Sequence, residues 1–88
     1  MEKKSIKSEH GIIYYWVGGN KNEDANYIVF THGMTADHTM FDMQVSYFEN
    51  EYKVITWDVP LHGESRPYND FSYYNVAYEL KKILDAEK

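Results

Sequence analysis

Two uninterrupted apolar runs dominate the hydrophobic pattern of this chain, and each stops at a turn that contains glycine. The first is Tyr27 to His32, followed by Gly33, and the second is Tyr52 to Asp58, followed by a loop that contains Gly63. An apolar run without polar alternation is typical of a parallel strand covered on both faces. Because the segment between the runs has room for one helix, the pattern predicts a β-α-β unit. Functional residues are expected where its two strands end.

Weaker patterns predict the elements before and between these runs. Lys4 to Gly19 is typical of a β-hairpin, with short strands at Ser5 to Ser8 and Ile12 to Val17 on either side of a glycine-containing turn. A polar loop follows it. Apolar residues near helical spacing then predict a helix from about Met40 to Asn50.

The last third of the chain predicts a longer helix. From Tyr73 onward, apolar residues recur at helical spacing, and charged residues fill the opposite face. Ser72 or Asp70 is the expected N-terminal cap. No repeat, linker or low-complexity segment divides the chain. The predicted fold class is therefore α/β, in one domain or one piece of a domain.

The loops after the two apolar runs carry the motifs. His32-Gly33 follows the first run, and Asp58-x-Pro60-x-His62-Gly63-x-Ser65 follows the second. His-Gly alone is a weak signal because the chain contains it three times. In this order and spacing, the two motifs together resemble the amino-terminal part of an α/β-hydrolase, over a region from about Ile12 to the end of the chain. Many members of that family have glycine where Leu61 stands.

Chain length decides how this resemblance is interpreted. An α/β domain of this type has roughly 200–250 residues, whereas this chain has 88. The resemblance implies that residues 1–88 are the amino-terminal fragment of a single domain, with a partial sheet made of the hairpin, the β-α-β unit and the following helix. The nucleophile and the catalytic triad would then lie outside this sequence.

The resemblance also implies roles for residues in the two loops. The backbone N–H of Met34 would be an oxyanion-hole donor, because acyl-transfer enzymes stabilise the tetrahedral oxyanion with such groups. His32 would hold the loop by hydrogen bonds and would not be the catalytic base. The remaining loop-supporting residues would be Gly33, Asp58, His62, Gly63 and Ser65. Met34 and Phe41 could line an acyl pocket, although helix packing explains Phe41 equally well.

Two more specific interpretations of the same loops have less support from the sequence. Ser65 could be a nucleophile, since residues 63–67 nearly match Gly-x-Ser-x-Gly, but Pro67 replaces the final glycine and no strand-to-helix elbow is predicted there. A metal site could be imagined from four loop residues, but their spacings match no helical ligand pairing. Those four residues are Asp37, His38, Asp58 and His62. We therefore expect neither a metal nor a cofactor.

Composition limits the classes of partner that this chain is expected to bind. Nine basic and fourteen acidic side chains give a net charge of −5, which argues against a nucleic-acid partner or an anionic membrane surface. The absence of cysteine excludes disulfides and thiolate chemistry. The start of the chain has no apolar run typical of a signal peptide, and no segment is long and apolar enough to span a membrane. A cytoplasmic location is the default expectation.

The resemblance favours a serine hydrolase that acts on an ester, lactone or related acyl bond of a small molecule. We expect the chain alone to be inactive, since it lacks the triad. A lyase, haloperoxidase or dehalogenase on the same fold stays open. The competing class is a non-enzymatic interaction module. The family topology puts the strand from Tyr27 to His32 in mid-sheet, so its bare edge here would favour self-association or a complementing chain.

Overall fold

Four strands and two helices make up the fold in the computed structural model, which describes residues 1–87. The first three elements are β1 (Glu2–Ser8), β2 (Gly11–Gly19) and β3 (Tyr27–Thr31). A 3-10 turn (His38–Phe41) then leads directly into α1 (Asp42–Phe48), and β4 (Lys53–Trp57) and α2 (Tyr73–Glu87) complete the order. The hairpin, the β-α-β unit and the final helix are all present, which confirms the α/β prediction.

The strands form one mixed sheet in the order β1-β2-β4-β3. β1 pairs with β2, and β2 with β4, in antiparallel fashion. β3 and β4 are parallel, with Tyr27 opposite Lys53 and Thr31 opposite Trp57. β4 is therefore inserted between the hairpin and β3, and the carboxyl ends of β3 and β4 lie side by side.

The sheet has a different apolar layer on each face because side chains alternate along a strand. On one face, Ile13, Ile55 and Trp57 are fully buried and pack in one cluster with Ile83 of α2. On the other face, Phe30 stacks on Phe41, with ring centroids 5.0 Å apart, and lies near Phe48 of α1, with centroids 6.3 Å apart. The two helices thus cover opposite faces.

Two glutamates fasten α2 to the sheet. Glu79 is fully buried, and its Oε2 accepts hydrogen bonds from the Ser8 hydroxyl at 2.6 Å and the Tyr68 hydroxyl at 2.7 Å. Within residues 1–87, the buried Oε1 of Glu79 has no hydrogen-bond partner. Near the end of the helix, Glu87 Oε2 accepts from the Tyr15 hydroxyl at 2.7 Å and from Lys4 Nζ at 3.0 Å. These bonds hold the middle and the carboxyl-terminal end of α2 against the sheet.

Element ends differ from the sequence prediction for local reasons. The helix predicted from about Met40 begins earlier, as a 3-10 turn, because Asp37 accepts from the Thr39 N–H at 2.9 Å and caps it. It ends at Phe48 instead of Asn50. β1 starts at Glu2, since pairing with β2 extends that far. The cap of α2 is Ser72, whose Oγ accepts from the Asn75 N–H at 3.0 Å.

β3 is less buried than its apolar sequence predicts. Ile28, Val29 and Phe30 are half-buried, and Tyr27 and Thr31 are exposed. The reason is position: in the described part of the chain, β3 pairs only with β4 and forms an edge of the sheet. No helix within residues 1–87 is long and apolar enough to cross a membrane.

Candidate active site

Two loops meet where β3 and β4 end. We call residues 32–37 the β3 loop and residues 58–67 the β4 loop. A cleft of about 630 Å³ opens here, which is within the size range of small-molecule sites. It is lined by Met34, Thr35, Ala36, Asp37, Thr39 and Met40 on one side, and by Leu61, His62, Gly63 and Arg66 on the other. The cleft lies at the carboxyl edge of the parallel strands, where α/β sheets place their ligands.

His32 is the first link between the two loops. Its ring is buried, with 5% of the residue exposed. Nδ1 contacts the Gly33 carbonyl oxygen at 2.8 Å, and Nε2 lies 3.0 Å from the Val59 backbone nitrogen. Because Val59 N–H must donate, Nε2 carries no proton, and Nδ1–H donates to Gly33. His32 is thus a neutral imidazole with both nitrogens occupied.

This arrangement sets the direction of the Met34 N–H. The Gly33 carbonyl accepts from His32 and also from the Ala36 N–H at 3.3 Å. A trans peptide is planar, so its N–H points opposite to its C=O. With the carbonyl turned toward His32, the Met34 N–H points away from it. Within residues 1–87, no protein acceptor takes this N–H, and the Met34 residue is 65% exposed.

Asp58 is the second link. Its carboxylate is fully buried at the end of β4. Oδ1 accepts from the His38 N–H at 2.7 Å and from His38 Nδ1 at 2.8 Å, while Oδ2 accepts from the Glu64 N–H at 2.8 Å. The Asp58 side chain therefore accepts three hydrogen bonds, two from His38, which precedes β4 in the sequence, and one from Glu64, which follows it.

The Asp58 carboxylate also explains Gly63. A Cβ on Gly63 would lie 2.3 Å from Asp58 Oδ2, and the backbone there has a φ of +49°. Only glycine fits such a close approach in the left-handed region. In the pair His32-Gly33, by contrast, Gly33 has no atom within 4 Å of its Cβ position. Its residue type is not dictated by packing.

The β4 loop is internally bonded, and its serine is closed off. His62 Nδ1–H donates to the Pro60 carbonyl at 3.0 Å. Ser65 is fully buried, and its Oγ accepts from the Tyr14 N–H of β2 at 3.0 Å. A hydroxyl in this position joins the loop to the sheet and is out of reach of a substrate in the cleft. This is the environment of a structural serine.

Charges of both signs line the cleft. The Thr39 hydroxyl and N–H hold the pKa of Asp37 below its usual range, so this carboxylate stays ionised. Arg66 Nε donates to the Gly63 carbonyl at 2.8 Å. Of the four residues of the imagined metal site, His38 and Asp58 are brought into contact, yet residues 1–87 contain no group of three or more His, Cys, Asp or Glu able to hold a metal ion.

The sequence did not predict the contacts of His38. Its ring stacks on Trp16 of β2 with centroids 3.5 Å apart and an interplanar angle of 13°, and it binds Asp58 at the same time. These three residues come from three separate elements, and no spacing along the chain relates them. Phe41, which could have lined the cleft, packs on Phe30 instead and is absent from the lining of the cleft.

Comparison with curated proteins gives hydrolase relatives. A 3-oxoadipate enol-lactonase from Acinetobacter baylyi is 34% identical over 67 residues, which is 76% of this chain and 25% of the relative. A strigolactone esterase from Pisum sativum is 37% identical over 65 residues, which is 68% of this chain and 24% of the relative. The chain thus spans about a quarter of the length of the curated relatives it matches. No protein-family model matches the chain.

Comparison with solved structures also gives hydrolases. The Cif epoxide hydrolase from Acinetobacter nosocomialis superposes with a TM-score of 0.82 and 30% identity, over 97% of this chain and 26% of the hydrolase. The same sheet and helices are therefore found as a part of a larger fold. Sequence and structural likeness together place this chain in the α/β-hydrolase fold family, of which it carries the amino-terminal portion.

Proposed function

We propose that this chain supplies the amino-terminal part of a serine hydrolase that cleaves an ester, lactone or related acyl bond. Its chemical contribution would be one donor of the oxyanion hole, the backbone N–H of Met34. The observation that carries this proposal is the Gly33–Met34 peptide, whose carbonyl is held by His32 and whose N–H has no acceptor within residues 1–87.

Attack on an ester carbonyl turns its oxygen into an oxyanion. A donor whose direction is already set stabilises that charge without reorganising during the reaction. His32 and Asp58 would contribute indirectly, because they hold the β3 loop against the β4 loop. Met34, Met40 and Leu61 give the cleft apolar surface for the acyl group. The nucleophile, the base, the orienting acid and the second donor would come from chain outside these 88 residues.

The relatives support an ester or lactone substrate in general terms. One curated relative is a lactonase and the other an esterase, and both bond types pass through a tetrahedral oxyanion. The structural neighbour described above is an epoxide hydrolase, and an epoxide contains no acyl carbonyl. The fold thus serves more than one chemistry, and the free N–H in the β3 loop is the reason to favour acyl transfer here.

A chimera tests this proposal directly. The 88-residue chain would replace the matching segment of the Acinetobacter baylyi enol-lactonase, and hydrolysis of a p-nitrophenyl ester would be measured. Met34→Pro removes the N–H, so kcat is expected to fall about 100-fold to 1,000-fold. Met34→Ala is the matched control, since it changes the side chain but keeps the N–H.

Two results would contradict the proposal. One is a folded Met34→Pro chimera, verified by circular dichroism, with unchanged kcat. The other is turnover of the same ester by the pure 88-residue chain that is abolished by Ser65→Ala, because the nucleophile would then lie within this chain. We expect the pure chain to show no turnover.

A second candidate function is strand pairing with another chain. We propose it because β3 has no strand on its outer side within residues 1–87 and carries no charged residue or proline from Tyr27 to Thr31. Edge strands of this kind favour pairing, because their backbone N–H and C=O groups lack partners. The partner would be a complementing chain or a second copy of this one.

A further inference from the structure

We propose that His38 is a positioning residue that fixes the far end of the β3 loop, and with it the peptide that carries the Met34 N–H. This inference rests on the proposed function for the role of Met34, but the contacts of His38 stand independently of it. The residue acts through Asp58 and Trp16 and would not touch the substrate.

The β3 loop is held at both ends by the end of β4. At its start, His32 accepts the Val59 N–H, and just after its last residue, His38 gives both its own N–H and Nδ1–H to Asp58. Between them the backbone passes through Thr35, a non-glycine residue with a φ of +67°. Such a conformation persists only where the surrounding structure enforces it. Removing the contacts at one end should therefore make the loop residues between His32 and His38 more mobile.

Trp16 completes the site on the side of β2. The imidazole lies nearly parallel to the indole, and the His38 side chain retains 22% exposure. This geometry limits the imidazole to one orientation, in which Nδ1 faces a carboxylate that is itself fully buried. Asp58 is further held by the Glu64 N–H, so His38 is bound to a fixed point.

Variants of the 88-residue chain test the assignment without any substrate. His38→Ala removes the Nδ1–H bond to Asp58 and the stack on Trp16 and leaves only the backbone N–H bond, so the ¹⁵N relaxation of Met34, Thr35 and Ala36 should show new disorder. The backbone N–H of Glu64 donates to Asp58, and its hydrogen exchange with solvent should become about tenfold faster. His38→Asn places an amide N–H where Nδ1 lies and should restore loop order. His10→Gln, outside both loops, is the control and should change neither.

Two results would overturn the proposal. One is unchanged loop order in His38→Ala, and the other is a loop in His38→Asn that is as disordered as in His38→Ala. An inactive chimera combined with disorder in His38→Ala would reject the hydrolase function and leave the positioning role intact.

Discussion

Single residues at this site differ in ways that their sequence motif hides. His32-Gly33 and His62-Gly63 are the same dipeptide at the ends of neighbouring strands. In the first pair the histidine bridges the loops and the glycine is unconstrained, whereas in the second pair the glycine is forced by Asp58. The sequence predicts both pairs as loop supports, but only the three-dimensional approach of the carboxylate separates their roles.

This difference predicts opposite outcomes for one substitution. Gly63→Ala should lower the free energy of unfolding by about 3 kcal/mol, because the left-handed backbone and a displaced buried carboxylate both add to its cost. Gly33→Ala, with no atom near its Cβ position, should change it by less than about 0.5 kcal/mol. Urea unfolding of both variants measures this. Equal effects would show that Asp58 does not crowd Gly63 in solution.

At the scale of elements, the unpaired edge of β3 predicts self-association. We expect the wild-type chain to gain mass with concentration in light scattering, because no strand covers this edge within residues 1–87. Ile28→Lys puts a charge on the half-buried strand and should shift the chain toward monomer. Ile12→Lys, on β2, which lies between β1 and β4 in the sheet, is the matched control and should associate as the wild type does. A wild-type chain that stays monomeric at high concentration would argue against pairing.

The elements themselves were largely predictable, and their arrangement was not. Hydrophobic period and glycine turns are local signals, so they located the hairpin, the β-α-β unit and α2 within a few residues. The insertion of β4 between β2 and β3 depends on pairing between distant parts of the chain. No pattern within a single segment indicates that pairing. The same holds for the stack of Trp16 on His38 and for the bond from Ser8 to Glu79, which lie far apart in the chain.

For the whole molecule, two buried phenols predict sensitivity to alkali. Burial raises the pKa of Tyr15 and Tyr68, and hydrogen bonds to Glu87 and Glu79 raise it further. A phenol whose pKa is higher in the folded chain contributes stability that is complete below its unfolded pKa of about 10. That contribution is lost as pH rises above this value. The free energy of unfolding should therefore fall above about pH 10.

Phenylalanine variants separate these phenols from other groups. The double variant Tyr15→Phe, Tyr68→Phe should be less stable at neutral pH but should lose stability less steeply above about pH 10. Some decline should remain, since the bond to Glu87 also raises the pKa of Lys4. Tyr74→Phe, an exposed tyrosine, should follow the wild-type curve. Denaturant unfolding across this pH range measures the effect. If the free energy of unfolding of the double variant fell as steeply as that of the wild type, the two phenols would not be its cause.

The strand order also dictates a sequence of events during synthesis. On the ribosome the hairpin and β3 emerge first, yet they share no pairing, because β4 lies between them in the sheet. The sheet can close only after residues 53–57 have left the exit tunnel, and the same step brings Asp58 and Val59 to the β3 loop. A nascent chain that pauses before β4 would therefore hold the hairpin segment and an apolar β3 segment that no strand joins. The interval in which that segment is open to chaperones or to other chains is the time needed to translate and release β4.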